Sequence, residues 1–215
     1  MRGNGNGLIE MDAHPKEKLS HYSKCTFDVE YEFPFGFKEL EGIAHRGTFD
    51  LTQHTKFSGK DLSVFDQATG TSEIPTVVES SVGVERLFLT ILFDAYHEDI
   101  MDEETRIVLK LHPSIAPIKA AVLPLMKKIS GPAEELYKTL KKQWVNIDFD
   151  ESGSIGKRYR RQDEIGTPIC FTIDYQTLED QTITARLRDT GHQERIKIED
   201  APSYLEKMLS ATKSH

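Results

Sequence analysis

Two stretches of the sequence hold side chains whose types and spacing could do chemistry. In the first, Glu39 and Glu41 lie in a segment that otherwise reads as a core strand, with Gly36, Gly42 and Gly47 around them. Period-two geometry predicts both carboxylates on one face. Such a pair can hold a metal or a ligand amine, or serve as an acid–base couple. A solvent-facing strand with ordinary charges would read the same way. His45, Arg46, Asp50 and His54 add polarity, but not at the spacing of a zinc site. In the second stretch, Pro75 to Leu92, a short apolar strand ends in Glu79. Ser80, Ser81 and Gly83 follow, then a helix with Arg86 in its first turns. A small-residue junction at a helix N-terminus lets a ligand approach free N–H groups and a favourable dipole. Arg86 could there stack on an adenine or bind a phosphate; the plainer alternative is Ser81 as a helix cap and Arg86 as a surface residue. The junction is neither a P-loop nor a GxSxG elbow.

A third cluster is basic. Lys157, Arg158, Arg160 and Arg161 put four cations into five residues of a helix predicted over Ile155–Ile165. That density suits a phosphate backbone, or equally a solvated helix face. Trp144, Tyr137, Tyr159 and Phe171 could stack unpaired bases, although core packing accounts for most aromatics at such positions.

The elements that must position these groups follow from periodicity. Phe27, Val29, Tyr31 and Phe33 alternate as a strand, and Phe37 to Ala44 forms a second. Residues 53–73 read as a loop or short hairpin, and Pro75 to Glu79 as a strand. Ser81 to Tyr96 reads as a helix so apolar that it should be largely buried. The acidic run Glu98 to Glu104 reads as a solvated connector. Beyond it come a strand (Ala120–Met126), a helix with Pro132 in its first turn, a strand (Val145–Phe149) and the basic helix. Strands over Pro168–Asp174 and Thr182–Arg188 follow, joined by a polar turn, then Arg195–Ile198 and a closing helix from Pro202. Alternation of this kind predicts a mixed sheet with helices packed on it, an α/β (α+β) architecture.

Composition narrows the class. The 215 residues are 38% hydrophobic and 29% charged, ordinary for a soluble globular protein. No apolar run reaches the roughly 18 residues of a membrane span. Residues 1–13 read as a flexible Gly- and Asn-rich start without a secretory signal. Cys25 and Cys170 stand far apart with no CxxC pair, which argues for free thiols in a cytoplasmic protein. The net charge of −8 is uneven: residues 1–112 hold 11 basic and 20 acidic side chains, residues 113–215 hold 16 and 15. The second part is therefore the more plausible nucleic-acid surface.

Three segments in order resemble one family. The run from Glu79 to Arg86 and its hydrophobic helix resembles motif 3 of class II aminoacyl-tRNA synthetases. Phe33 to Leu51 resembles the strand and turn before motif 3 in glycyl-tRNA synthetases, and Ser154 to Thr190 resembles their anticodon-binding domain. The resemblance implies residues 1–112 as the C-terminal part of an antiparallel-sheet catalytic domain. It implies residues 113–215 as a mixed-sheet α/β anticodon-binding domain.

The resemblance also implies roles. Glu39 and Leu40, with Gly83, Val84, Glu85 and Arg86, would contact ATP; Glu39 and Arg86 would be catalytic. Glu79, Ser80, Ser81, Val82 and Gly83 would line the glycine and adenylate pocket. Glu39 and Glu79 would meet Mg2+ carried by ATP, and Lys157, Arg158, Arg160 and Arg161 would touch tRNA(Gly). The implied reaction is ATP-dependent attachment of glycine to its tRNA through glycyl-adenylate, in a family that works as a homodimer. Motifs 1 and 2 have no counterpart here, so the chain is expected to be a C-terminal fragment, inactive alone. A non-catalytic tRNA-binding accessory module is the alternative, against which the retained Glu39, Glu79, Ser81 and Arg86 argue.

Overall fold

The computed structural model describes residues 8–101 and 103–211. They form two compact units that divide between Phe93 and Asp94. The sequence had suggested a division at 112/113; the segment between these limits packs with the second unit.

The first unit is a four-stranded antiparallel sheet of β1 (Ile9–Ala13), β2 (Cys25–Phe33), β3 (Gly36–Gly47) and, after helix α1 (Phe49–Ser58) and a small hairpin of β4 (Val64–Asp66) and β5 (Thr71–Glu73), β6 (Val77–Val82). The sheet order is β1-β2-β3-β6. Two expectations are corrected here. Residues 9–13 form a strand paired with β2, from Ile9 opposite Tyr31 to Ala13 opposite Phe27. The remainder of the expected flexible start, residues 1–7, lies outside the described residues. The segment read as loop from residue 53 continues a helix begun at Phe49 and closed by Gly59 in the left-handed conformation. α1 buries no residue, so it lacks the apolar stripe that would announce it.

Strand faces follow from the register. Phe27, Val29, Tyr31 and Phe33 lie on one face with Ile9, Met11, Ile43 and Val78. Tyr31 and Phe33 are buried, and Phe33 packs edge-on to Phe93 of helix α2 (Val84–Ala95). The expectation of a largely buried α2 does not hold. Val84, Leu87, Phe88 and Leu89 are exposed, because only the C-terminal part of the helix meets apolar neighbours.

In the second unit the acidic run is no connector. It belongs to a hairpin of β7 (Tyr96–Met101) and β8 (Glu104–Leu109) in which Asp99 faces Arg106 directly. A five-stranded sheet follows, ordered β10-β9-β11-β12-β13. Its strands are β9 (Ala120–Pro124), β10 (Ile147–Phe149), β11 (Ile169–Ile173), β12 (Thr182–Leu187) and β13 (Gln193–Lys197). β10 and β11 run parallel to β9, while β12 and β13 are antiparallel, the mixed sheet expected.

Helices α3 (Ser130–Lys141), α4 (Ile155–Ile165) and α6 (Ala201–Ala211) join it, with a short α5 (Tyr175–Asp180) where a polar turn was expected. Asp174 and Thr177 close a reciprocal capping box on α5. Parallel strands buried on both faces read as continuous apolar runs. β9 and β11 are buried throughout, with Val122, Phe171 and Leu140 in one core layer and Ala121, Leu123 and Cys170 beside Ile155 and Tyr159 of α4 in another.

Candidate active-site face and RNA-binding domain

The chemistry of the first unit depends on a bulge. Glu30 pairs with Glu39 but Val29 pairs with Glu41, so Leu40 is an extra residue in β3. An extra residue inverts the facing of everything beyond it. Glu39 and Glu41 therefore point to opposite faces, and the predicted carboxylate pair does not exist. Glu41 turns to the apolar face, where the Ser80 hydroxyl donates to it. Glu39 shares the other face with Asp28, Glu30, Ser81 and Glu79. Its Oε1 stands 3.6 Å from where a Cβ on Gly42 would be. Ser80 and Val82 project with Glu41, so only their backbone could serve a pocket on the Glu79 face.

Arg86 reaches back from the first turn of α2. Its guanidinium donates to the backbone carbonyl of Glu39 and lies 4.0 Å from that carboxylate, both side chains about half exposed. Ser81 lies in β6 rather than capping the helix; Gly83 accepts the first helical bond, from Leu87 N–H at 2.8 Å. A Cβ on Gly83 would sit an ordinary 3.7 Å from Arg86. Glu39 and Glu79, which faces Ala44, stand roughly 15 Å apart along the strands at about 3.3 Å per residue. One ion cannot join them. Among the described residues no cluster of three His, Cys, Asp or Glu side chains is arranged to hold a metal.

Arg46, which the sequence marks only as polar, has a definite structural role. It donates to Asp50 of α1 through Nε at 2.6 Å and a second nitrogen at 2.9 Å, and to Glu79 through the third. Its guanidinium also lies 4.1 Å over the ring of Tyr22. Hydrogen bonding from Arg46 holds the Asp50 carboxyl below the usual carboxylate range. A fixed guanidinium between two carboxylates orients Glu79 on the open face. The four-residue spacing of Arg46 and Asp50 was visible in sequence; the partner 33 positions away was not.

The basic helix divides its cations. Arg158 is buried, and its guanidinium donates to the carbonyls of Pro124, Leu125, Asp150 and Gly153. It joins α4 to the end of β9 and has no surface to offer. Arg160 pairs with Glu104, Arg161 with Asp150 and the Ser152 carbonyl, and Lys157 is exposed. The four do not form one uniform patch. Phe171 is buried, the Tyr159 hydroxyl bonds Thr172 at 2.6 Å, and Trp144 and Tyr137 pack on the core, as the plainer reading of the aromatics held.

A buried charge network braces this domain. Asp163 receives both terminal nitrogens of Arg186, at 2.8 and 2.9 Å, and one from Arg106 at 3.3 Å. Arg106 also grips Asp99 and the Arg188 carbonyl; Arg188 donates to the carbonyls of Gly166 and Leu111. Gly166 ends α4 at φ +83°, where a Cβ would meet the Leu109 carbonyl at 2.9 Å. Only glycine fits that approach.

Residues 119–208 match a family model described as an anticodon binding domain. The chain is 55% identical over 197 residues to a glycine–tRNA ligase of Alkaliphilus oremlandii, covering 91% of this chain and 42% of the relative. It is 54% identical over 212 residues to that of Thermobifida fusca (94% and 46%), and 52% over 202 to that of Clostridium beijerinckii (94% and 43%). The chain thus spans less than half the length of the curated relatives it matches. Among the described residues no helix is long and apolar enough to cross a membrane. Residues 119–208 are an anticodon-binding domain, and over nine tenths of its length the chain is similar to glycine–tRNA ligases.

Proposed function

We propose that the chain contributes to ATP-dependent ligation of glycine to tRNA(Gly), with residues 1–112 as the rear of a catalytic domain and residues 113–215 as the anticodon-binding domain. The observation that carries this reading is the shared open face of the first sheet: Glu39, Glu79 and Ser81 point into it, and Arg86 is docked at its rim. Glu79 and Ser81 grip the glycine amine, since glycine offers no side chain to recognise. Arg46 holds Glu79 in place. Arg86 meets the triphosphate, where a fixed cation acts on charge that shifts during displacement. Glu39 faces the Mg2+ that ATP carries, an ion that would neutralise phosphate charge. Leu40 and residues 83–85 offer backbone to the nucleotide. Of the four cations of α4, Lys157 has no carboxylate partner among the described residues and is free to approach the tRNA backbone, with Arg160 and Arg161 available on exchanging their carboxylate partners.

The test is pyrophosphate exchange in a protein in which this chain is joined to the portion of a relative outside the matched stretch. Arg86→Ala should cut exchange about a hundredfold or more. Ser81→Ala should raise the glycine requirement while leaving the ATP requirement nearly intact. Exchange at the parental rate with Arg86→Ala would overturn the assignment. Binding of tRNA by the chain with no exchange in the joined protein would favour the accessory-module reading, which the intact anticodon-binding domain also supports.

A further inference from the structure

The acidic run that the sequence presents as a connector ends against the basic helix. Lys157, Arg160 and Arg161 stand at i, i+3 and i+4 of α4, so they share one exposed face, while Arg158 turns inward. Two acids meet that face and hold their cations differently. Asp150, mostly buried, accepts from two nitrogens of Arg161 and from the Ser152 N–H at 2.8 Å, and Arg161 also donates to the Ser152 carbonyl at 2.6 Å. Arg161 is therefore committed to the loop before α4. Glu104 of β8 meets Arg160 through one nitrogen, with the two side chains 65% and 51% exposed. A pair so open to water is weak and exchangeable. The backbone that carries Glu104 is fixed. Glu104 faces Met101 across the β7–β8 hairpin. Two residues on, the buried Arg106 donates to Asp99 at 2.8 Å, to Asp163 of α4 at 3.3 Å and to the Arg188 carbonyl at 2.9 Å. Met101 packs at Gly191, where an added Cβ would come within 2.9 Å of its sulfur. The hairpin thus keeps beside Arg160 a carboxylate whose side chain can still swing away.

We infer that Glu104 is a built-in stand-in for an RNA phosphate, which holds Arg160 while the RNA is absent and sets how tightly α4 binds it. This rests on the reading of α4 as part of the tRNA-binding surface and adds the residue that regulates that surface. As tRNA approaches, a phosphate oxygen takes the Arg160 guanidinium, and the freed carboxylate turns to solvent. When the RNA leaves, the carboxylate returns. Only ionic partners are exchanged. The exchange costs the lost ion pair and the repulsion between the freed carboxylate and the RNA, so binding is weaker than Lys157 and Arg160 would otherwise give, and release is easier. Lys157, without a carboxylate partner among the described residues, can meet the RNA before the exchange. Arg161 exchanges far less readily, because giving up Asp150 and the Ser152 carbonyl would also undo the loop over 150–153.

The test measures binding of a tRNA(Gly) transcript to the full chain between about 50 and 200 mM salt. Glu104→Gln should tighten binding about threefold at the low-salt end and steepen the dependence of log K on log salt by up to about one. Glu103→Gln removes the same charge one position away but leaves the Arg160 pair in place, and should leave binding nearly unchanged. With Arg160→Ala already present, Glu104→Gln should have little further effect, because Glu104 acts through that guanidinium. Urea unfolding of each variant checks that the second unit remains folded. Equal tightening by Glu103→Gln and Glu104→Gln, or tightening undiminished beside Arg160→Ala, would mean that bulk charge alone acts and would overturn the inference. So would unchanged binding with Glu104→Gln while Lys157→Ala still weakens it, a result that would leave α4 standing as an RNA surface. If neither Lys157→Ala nor Arg160→Ala weakens binding, the RNA does not use α4, and that reading falls together with the inference.

Discussion

The two units treat apolar side chains in opposite ways. Among the described residues 23 hydrophobic side chains are buried; 21 of them lie at or beyond Ala95, and only Tyr31 and Phe33 lie in the first unit. The second unit sandwiches its sheet between helices and buries even its charges in pairs. The first unit divides one sheet into an acidic face and an apolar face and buries the apolar one only in part, at Tyr31 and Phe33. The difference teaches that strand pairing alone does not complete a domain: a sheet needs a second layer to take its apolar face from water. The second unit has that layer within the sequence in hand.

Substitutions can break or sharpen this contrast. Asp163→Ala should have the largest effect. It leaves the buried guanidiniums of Arg106 and Arg186 without their shared carboxylate, a loss of about 3–5 kcal/mol that urea unfolding of the second unit would register. Retention of parental stability would mean that the network is dispensable. Phe171→Ala should also cost about 3–5 kcal/mol, whereas Phe88→Ala, on a mostly exposed side chain, should cost under about 1 kcal/mol. Equal costs at the two phenylalanines would erase the distinction between the units.

Acid should act on the second unit through Asp99. Hydrogen bonds from Arg106 lower its folded pKa. Its stabilisation is complete above the unfolded carboxylate pKa of about 4 and is lost as pH falls through the folded value. Asp99→Asn should therefore flatten the pH dependence of stability below about pH 4; an unchanged acid profile would contradict the assignment. The smallest perturbation is chemical. Burial pushes the Cys170 thiol well above its usual range, while Cys25 is exposed. A thiol reagent at pH 8 should modify Cys25 alone until the protein unfolds, and mass spectrometry of peptides would reveal any early labelling of Cys170.

Much of this was legible in the sequence where local pattern decides structure. α4 occupies the span predicted for the basic helix, and apart from α5 the order of strands and helices beyond Ala120 is the one read from the sequence. Several failures depend on a partner remote in sequence. The bulge at Leu40 is set by where β2 pairs, so no property of Gly36 to Gly47 reveals that Glu39 and Glu41 face apart. The burial of Arg158 depends on carbonyls at the end of β9, and the hairpin in the acidic run depends on Arg106 meeting both Asp99 and Asp163. α2 was misjudged for a different reason: its composition correctly signals an apolar surface, but the layer that would bury it does not come from the described residues.

The central claim, that residues beyond Asp94 form a finished domain while the sheet before it presents an uncovered face, is tested most directly by hydrogen exchange on the chain by itself. The account predicts slowest exchange in β9, β11 and β12, at the rate set by global unfolding, and exchange faster by orders of magnitude in β1, β6 and the first turns of α2. Equal protection of β6 and β9 in a monomeric sample would contradict it.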